Sequence, residues 1–156
     1  MKPSRTASLP FVSVAFAIVS CCIATAIAQP LIVSVEEMRA SEEVTTGIES
    51  RLSPPLGAPA IEVVEPDLSK NVTSPASIYL RFKTADQVGV RTETFKVLYG
   101  AFDLDITSRL LPLASLNASG ITVRDAALPA GNHRLTVKIS DRIGREGVQV
   151  LRFTVN

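Results

Sequence analysis

The stretch that decides the fold is residues 133–140, which read His-Arg-Leu-Thr-Val-Lys-Ile-Ser. Large apolar side chains occupy Leu135, Val137 and Ile139, and polar or charged side chains lie between them. Successive side chains of a strand point to opposite faces, so this period of two predicts a strand with one buried and one solvated face. Such one-sided burial is typical of antiparallel sheets.

The same alternation recurs along the chain from residue 60 onward. It is clearest in residues 61–63, 78–82, 95–99, 121–123 and 151–155. Turn-forming residues separate these segments, as in Asn117-Ala118-Ser119-Gly120. No long helical pattern alternates with the strands, which disfavours a parallel α/β sheet. The sequence therefore predicts an all-β fold, an antiparallel β-sandwich of about seven strands.

The residues that flank the 133–140 strand have the chemistry of turns. Gly131 permits a positive φ before the strand. Asp141 can accept backbone N–H bonds across the turn that leads to Gly144. These three residues are therefore predicted to have structural roles whatever the protein does.

The order of these features resembles the last hairpin of bacterial immunoglobulin-like domains of exported proteins. A Gly turn, a strand, an Asp-x-x-Gly turn and a closing strand of the Phe-x-Val kind follow one another, the last being Phe153-Thr154-Val155. Residues 95–107 are similar to the middle of such modules, and the resemblance covers residues 58–156. The chain departs from antibody-type domains, since it lacks their Cys…Trp…Cys core. The resemblance implies an Ig-like sandwich, and domains of this group serve as adhesin repeats, as accessory modules of secreted enzymes and as stand-alone exported proteins.

Residues 1–28 have the pattern of a secretory signal peptide. Basic Lys2 and Arg5 precede an apolar stretch, and small residues lead to a predicted cleavage site between Ala28 and Gln29. We therefore expect an exported protein, periplasmic or extracellular. The alternative is a lipoprotein anchored through Cys21, because Ile18-Val19-Ser20-Cys21 resembles a lipobox.

Cleavage at that site would change the composition of the chain. Of the 16 Lys and Arg residues two lie in the leader, which leaves 14 against 15 Asp and Glu, or −1. Nucleic-acid binders normally carry a clear basic excess, so we expect no nucleic-acid partner. Both cysteines, Cys21 and Cys22, lie in the leader, so the mature chain would form no disulfide. No second apolar run is long enough to span a bilayer.

Residues 29–57 form an acidic arm and a proline-rich linker. Ser34 and Glu37 have the spacing of a capping box, which predicts a short helix over 35–43. Prolines follow at 54, 55 and 59, where they favour extended backbone. Two interpretations remain open here, a partly ordered acidic arm and a helix that docks onto a partner.

The residues offer few candidates for chemistry. His133 is the one histidine, and its position beside a turn indicates an edge or turn residue. No nucleophile signature accompanies it, so we expect no enzyme and no cofactor. Asp103 and Asp105 lie two apart and could converge on calcium, with Asp141 as a possible third ligand. The competing interpretation of these carboxylates is that they are ordinary turn residues.

A binding surface is the favoured function. Tyr79, Arg81 and Lys83 share an outward face, and Arg134 and Lys138 would extend it into a basic patch if their strands were neighbours. The leading hypothesis is an exported interaction module with a protein or cell-envelope partner, which could also bind by edge-strand pairing. The alternative is a carbohydrate- or calcium-binding accessory module.

Overall fold

The computed structural model describes residues 31–42, 55–85 and 88–156. The predicted all-β sandwich is confirmed, with two antiparallel four-stranded sheets. The described ranges contain eight strands, one more than the sequence pattern predicts. Two of them, Leu104–Asp105 and Ala114–Asn117, lie outside the six alternating segments of the sequence, because both are too short to establish a period of two.

The elements follow in chain order. They are α1 (Val35–Glu42), β1 (Ala60–Glu65), β2 (Ala76–Lys83), β3 (Val90–Tyr99), β4 (Leu104–Asp105), α2 (Thr107–Leu110), a 3-10 turn (Leu111–Leu113), β5 (Ala114–Asn117), β6 (Gly120–Ala126), β7 (Gly131–Asp141) and β8 (Glu146–Val155). The first sheet has the order β1-β2-β6-β5, and the second has the order β4-β3-β7-β8. Strands β2 and β7 therefore belong to different sheets.

The core lies between the two sheets and follows the alternation in the sequence. In β7, Leu135, Val137 and Ile139 are all buried. The first sheet supplies Ile78 and Leu80 from β2 to the same cluster. Each fully buried aliphatic side chain contributes about 1.5–3 kcal/mol relative to an exposed one. This core fixes which side chains point outward, and so defines two outer faces.

The turn between β7 and β8 is built around a fully buried carboxylate. Asp141 Oδ1 accepts hydrogen bonds from the backbone N–H groups of Ile143 (3.0 Å) and Arg145 (2.9 Å). Its Oδ2 accepts from Arg145 Nε at 2.6 Å. Burial raises the pKa of Asp141, but the hydrogen bonds and charge of Arg145 outweigh it, and the net pKa is lowered. Gly144 completes the turn with a φ of 90°.

The described part of the acidic arm is docked onto its own sandwich. The capping box is formed, since Ser34 N donates to Glu37 Oε2 (2.9 Å) and Glu37 N donates to Ser34 Oγ (3.2 Å). Ile32 and Val33 are buried in the core cluster. Arg109 Nη1 donates to the Glu37 carboxylate at 2.9 Å, and this bond lowers the pKa of Glu37. Ile32, Val33 and Met38 are therefore buried within the molecule, whereas Leu31 and Val35 are exposed, and a role of this helix in docking onto a partner stays a prediction.

Several predictions concern parts of the chain that the structure does not describe. The leader, the cleavage site at Ala28 and Gln29, the lipidation alternative at Cys21 and most of the linker all lie outside the described residues. Among the residues that are described, no helix is both long and apolar enough to cross a membrane.

Candidate functional site

The three carboxylates of the predicted calcium site do not come together. Asp105 pairs with Leu98 near one end of β3, whereas Asp141 pairs with Val90 at the other end. The eight residue steps from Val90 to Leu98 correspond to about 26 Å of strand. No group of three His, Cys, Asp or Glu side chains in the described ranges is close enough to hold a metal ion. The three-residue site is therefore wrong, because spacing in sequence does not reveal which strand ends meet.

The Asp103–Asp105 segment is a tight connection. Asp103 has a φ of 50° in the turn between β3 and β4. Asp105 Oδ1 accepts from the backbone N–H of Thr107 at 2.9 Å, at the start of α2. Hydrogen bonds from Thr107 lower the pKa of Asp105, with a smaller contribution from the charge of Lys96. The Asp105 carboxylate thus serves the local backbone, as the turn interpretation predicts.

His133 is a core residue and not an edge or turn residue. It is 3% exposed and stacks on Phe153, with the ring centroids 5.5 Å apart. Its Nε2 lies 2.8 Å from the Pro129 carbonyl oxygen, and its Nδ1 lies 2.9 Å from the Tyr99 hydroxyl. Because a carbonyl only accepts, Nε2 carries the hydrogen and Nδ1 accepts from Tyr99. The imidazole is fully used in packing and hydrogen bonding.

The outer face of the first sheet places its cations beside a carboxylate. Arg81 and Lys83 on β2 both approach Glu62 on β1, at 3.8 Å and 2.5 Å. The Arg81 guanidinium lies 5.9 Å from the centre of the Tyr79 ring. We call these four residues the paired face. Its cations are half exposed and have an acidic neighbour, which is the arrangement of an ordinary solvated sheet surface.

Arg134 and Lys138 lie on the other side of the molecule. They belong to β7 in the second sheet, so they do not extend the surface around Tyr79. The predicted single basic patch is therefore divided between two opposite faces. The pattern of alternation gives each side chain its direction, in or out, but not the sheet to which its strand belongs.

The outer face of the second sheet places like charges directly opposite each other. Lys96 on β3 is in register with Lys138 on β7, and Arg134 on β7 is in register with Arg152 on β8. We call this surface the basic face and define it by these four residues: Lys96, Arg134, Lys138 and Arg152. Like charges directly opposite on neighbouring strands destabilise a sheet. The basic face therefore carries an electrostatic cost that the paired face avoids.

An apolar row separates the two like-charge pairs. Leu98, Thr136 and Val150 are in register across β3, β7 and β8. Thr136 is only 7% exposed, and its Oγ1 has no hydrogen-bond partner within the described residues. The face thus has two rows of cations with a largely apolar, poorly exposed row between them.

Two acidic side chains lie at the margins of the basic face. Lys138 Nζ lies 3.6 Å from Glu146 Oε1 at the start of β8. Lys96 lies near Asp105 on the edge strand β4. Arg134 Nη1 donates to the Gly100 carbonyl at 2.9 Å.

Sequence reasoning missed Lys96 and Arg152 as members of this surface. Both are outward residues between inward ones, Lys96 between Phe95 and Val97 and Arg152 between Leu151 and Phe153. The available signal was the period of two, which makes each of them an outward cation between two inward residues. Their grouping depends on the order β3-β7-β8, which is a non-local property.

Comparisons with known proteins found one distant structural likeness. No family model matches the chain, and no curated protein matches it. Among solved structures, the chain is similar to the crystal structure of CopC from Methylosinus trichosporium OB3b, with 17% identity over 62% of this chain and 93% of that chain. The TM-score is 0.38, a likeness too distant to carry an inference about function.

Proposed function

We propose that this chain is an exported, non-catalytic binding module that recognises an acidic protein segment through the basic face. The observation that carries the proposal is the register of Lys96 with Lys138 and of Arg134 with Arg152 around an apolar row. The expectation of export rests on the signal-peptide pattern of residues 1–28.

The free and bound states of the basic face differ in electrostatic energy. In the free protein, cations oppose each other across neighbouring strands, which raises the energy of the surface. Carboxylates of a partner would relieve this repulsion and form charge-assisted hydrogen bonds, which are about twice as strong as neutral ones. The paired face offers less to such a partner, because Glu62 already contacts Arg81 and Lys83.

The apolar row supports a protein as the partner. Leu98 and Val150 are half buried and flank the buried Thr136, so the centre of the face suits an apolar side chain. Proteins bind single-stranded nucleic acids by a basic groove together with aromatic side chains on which the bases stack. The outward positions of β3, β4, β7 and β8 carry no aromatic side chain in the described residues.

The experiment compares matched charge neutralisations on the two faces. The double variant Lys96→Gln/Lys138→Gln removes two cations from the basic face, and Arg81→Gln/Lys83→Gln removes two from the paired face. Binding to immobilised poly-glutamate is measured at several salt concentrations. We expect the first variant to bind at least about tenfold more weakly and the second to stay within about twofold of the parent protein.

Two controls accompany this binding measurement. Thermal melting of both variants checks that each is folded, and poly-lysine checks that attraction depends on the sign of the charge. Equal losses in the two variants would contradict the proposal, because the binding would then follow overall charge. Tighter binding to heparin or to single-stranded DNA than to poly-glutamate would indicate a different class of partner.

A further inference from the structure

We infer that one end of the sandwich docks onto the surface of an anionic lipid bilayer, with Leu56 and Ile143 entering the bilayer interface beside exposed arginines. This site is separate from the basic face and does not depend on the proposed function. Three features support it: an exposed aliphatic side chain on each of two neighbouring turns, hydrogen bonds that hold both turns, and cations beside them without an exposed acid in either turn.

The first turn, residues 55–58, presents Leu56 to solvent. Ala58 N donates to the Pro55 carbonyl at 2.9 Å, which closes a four-residue β-turn. Gly57, the third residue of this turn, has a φ of 80°, a conformation that favours glycine. Leu56 is 99% exposed, although turn positions usually carry Gly, Pro, Asn, Asp or Ser. The backbone is therefore held in place while a large aliphatic side chain faces solvent.

The second turn, between β7 and β8, presents Ile143 in the same way. Its backbone N–H donates to the buried Asp141 carboxylate at 3.0 Å, and Gly144 N donates to the Asp141 carbonyl at 3.1 Å. Ile143 is nevertheless 66% exposed. Because a β-branched side chain has few rotamers, this turn holds an apolar group outward with little freedom to fold back onto the protein.

The two turns lie against each other at one end of the molecule. A Cβ atom on Gly57 would collide with Arg145 Nη1, so the guanidinium lies directly on the first turn. The same guanidinium donates from Nε to Asp141 Oδ2 at 2.6 Å in the second turn. Arg145 thus connects the two turns, and their exposed side chains belong to one surface. We call this surface the aliphatic tip and define it by Leu56, Arg142, Ile143 and Arg145.

The exposed charge within the two turns is positive. Arg142 is exposed and lies next to Ile143 in the chain. Asp141 is the acid of these turns, and it is 0% exposed and forms an ion pair with Arg145. An approaching anionic surface would therefore meet arginine and aliphatic side chains before it met a carboxylate of either turn.

The strands behind the aliphatic tip carry charges of both signs. Arg91, near the start of β3, is exposed. Glu93 on β3 and Glu146 on β8 are exposed acids, and Glu146 Oε1 lies 3.6 Å from the Lys138 ammonium nitrogen. That cation partly offsets the charge of Glu146. Attraction to an anionic surface therefore depends mainly on Arg91 and Arg142, and we expect it to be modest.

The shape of the aliphatic tip favours a bilayer over a protein partner. Single aliphatic side chains on two adjoining turns form a convex surface, whereas a stable protein interface buries about 800 Å² on each partner. A bilayer interface accepts such side chains without a complementary pocket. Arginine suits the same depth, because its apolar stem lies along apolar groups while the guanidinium reaches phosphates. Export, which the pattern of residues 1–28 predicts, would bring this surface to the outside of a membrane.

Tryptophan fluorescence tests whether the aliphatic tip enters the lipid. The chain contains no tryptophan, so a single introduced indole reports its own surroundings. The variants are Leu56→Trp, Ile143→Trp and, as the control, Phe102→Trp. Phe102 is 66% exposed like Ile143, and it lies in the β3–β4 turn at the opposite end of the sandwich. The exported, processed protein is used, because an uncleaved apolar leader would itself bind lipid.

The vesicles consist of phosphatidylcholine alone or of equal parts of phosphatidylcholine and phosphatidylglycerol. With the mixed vesicles we expect a blue shift for Leu56→Trp and Ile143→Trp, together with quenching by lipids brominated on their acyl chains. We expect neither effect for Phe102→Trp. Equal shifts for the three variants, a shift for Phe102→Trp alone, no shift at all or equal binding to both kinds of vesicle would overturn the inference.

Vesicle sedimentation measures what the apolar and charged groups contribute. Leu56→Ser/Ile143→Ser removes both aliphatic side chains, and Phe102→Ser is its control. We expect the partition coefficient to fall at least about tenfold for the first and to stay within about twofold for the second. Arg142→Gln should lower it about fivefold, whereas Arg124→Gln, at an exposed position on β6, should change it by less than about twofold. Thermal melting checks that each variant is folded.

The basic face also carries cations, so its contribution to vesicle binding is measured separately. We expect Leu56→Ser/Ile143→Ser to lose vesicle binding and to keep poly-glutamate binding. We expect Lys96→Gln/Lys138→Gln to lose poly-glutamate binding and to keep more of its vesicle binding than the aliphatic variant does. A greater loss of vesicle binding in the basic-face variant would assign the bilayer to that face and would overturn the inference, while the proposed function would stand or fall on poly-glutamate alone.

Discussion

The outer faces of the two sheets both carry cations but surround them with different neighbours. On the paired face, Glu62 contacts Arg81 and Lys83 across the β1–β2 ladder. On the basic face, Lys96 opposes Lys138 and Arg134 opposes Arg152. The difference is that Glu62 lies opposite Arg81 on the paired face, whereas both members of each in-register pair on the basic face are cations.

This difference separates a surface that suits solvent from one that suits a partner. Exposed ion pairs such as those of Glu62 contribute only about 0–1 kcal/mol, yet they leave little net charge for an incoming ligand. Opposed cations have the reverse effect, since they weaken the sheet slightly and concentrate positive potential. The two faces therefore serve as experimental controls for each other.

The largest stability effect that we expect from this comparison comes from Thr136. Its hydroxyl is buried on the basic face without a partner in the described residues, so Thr136→Val should raise the free energy of unfolding by about 1 kcal/mol. The matched change on the other sheet is Thr122→Val, where the side chain is half exposed and the effect should be within about 0.5 kcal/mol. Urea unfolding measures both.

A destabilised Thr136→Val variant would show that the hydroxyl has a partner and that the centre of the basic face is polar. Binding of poly-glutamate by this variant provides a further check. A valine should leave affinity unchanged, because the proposal assigns the carboxylates to the cationic rows and not to this apolar row.

A smaller pair of effects should have opposite signs on the two faces. Lys96→Gln removes one member of a like-charge pair and should raise the free energy of unfolding by about 0.5 kcal/mol at low salt. Lys83→Gln removes an ion pair with Glu62 and should lower it by about 0.5 kcal/mol. Both differences should shrink at high salt, where exposed charges are screened.

Urea unfolding at low and at high salt measures this pair of effects. A loss of stability for Lys96→Gln at low salt would mean that its attraction to Asp105 exceeds its repulsion from Lys138. The basic face would then be electrostatically balanced, and the distinction between the faces would disappear.

The alternation in the sequence was enough to predict much of the fold. Residues such as Leu135, Val137 and Ile139 are buried as predicted, and the outward direction of Arg134 and Lys138 follows from the same period. The Ser34–Glu37 spacing likewise identifies a helix start, because a capping box is a local structure.

The candidate site was only partly predictable, because it depends on contacts between distant segments. Alternation alone does not show that β7 pairs with β3 and not with β2. The sequence-based prediction therefore grouped Lys138 with the outward side chains of β2. The same limit explains His133, whose partner Tyr99 is 34 residues away. It also explains Ile32 and Val33, which are buried by strands that follow much later in the chain.

The smallest expected effect concerns the pKa of Asp105 at the margin of the basic face. Hydrogen bonds from Thr107 are the main reason that this pKa is lowered, and the charge of Lys96 is the least of the causes. Thr107→Val should therefore raise the pKa of Asp105 more than Lys96→Gln does, and Lys83→Gln on the other face should leave it unchanged. Titration of the Asp105 carboxyl carbon by NMR measures all three.

The sign of the associated pH dependence follows from linkage. A carboxyl whose pKa is lower in the folded protein stabilises the fold fully above its unfolded pKa, and this contribution is lost as the pH falls through the folded pKa. Thr107→Val should thus flatten the acid limb of the stability profile more than Lys96→Gln. If Lys96→Gln had the larger effect, the Lys96 ammonium would be engaged mainly with Asp105, and it would be less available to the carboxylates of a partner.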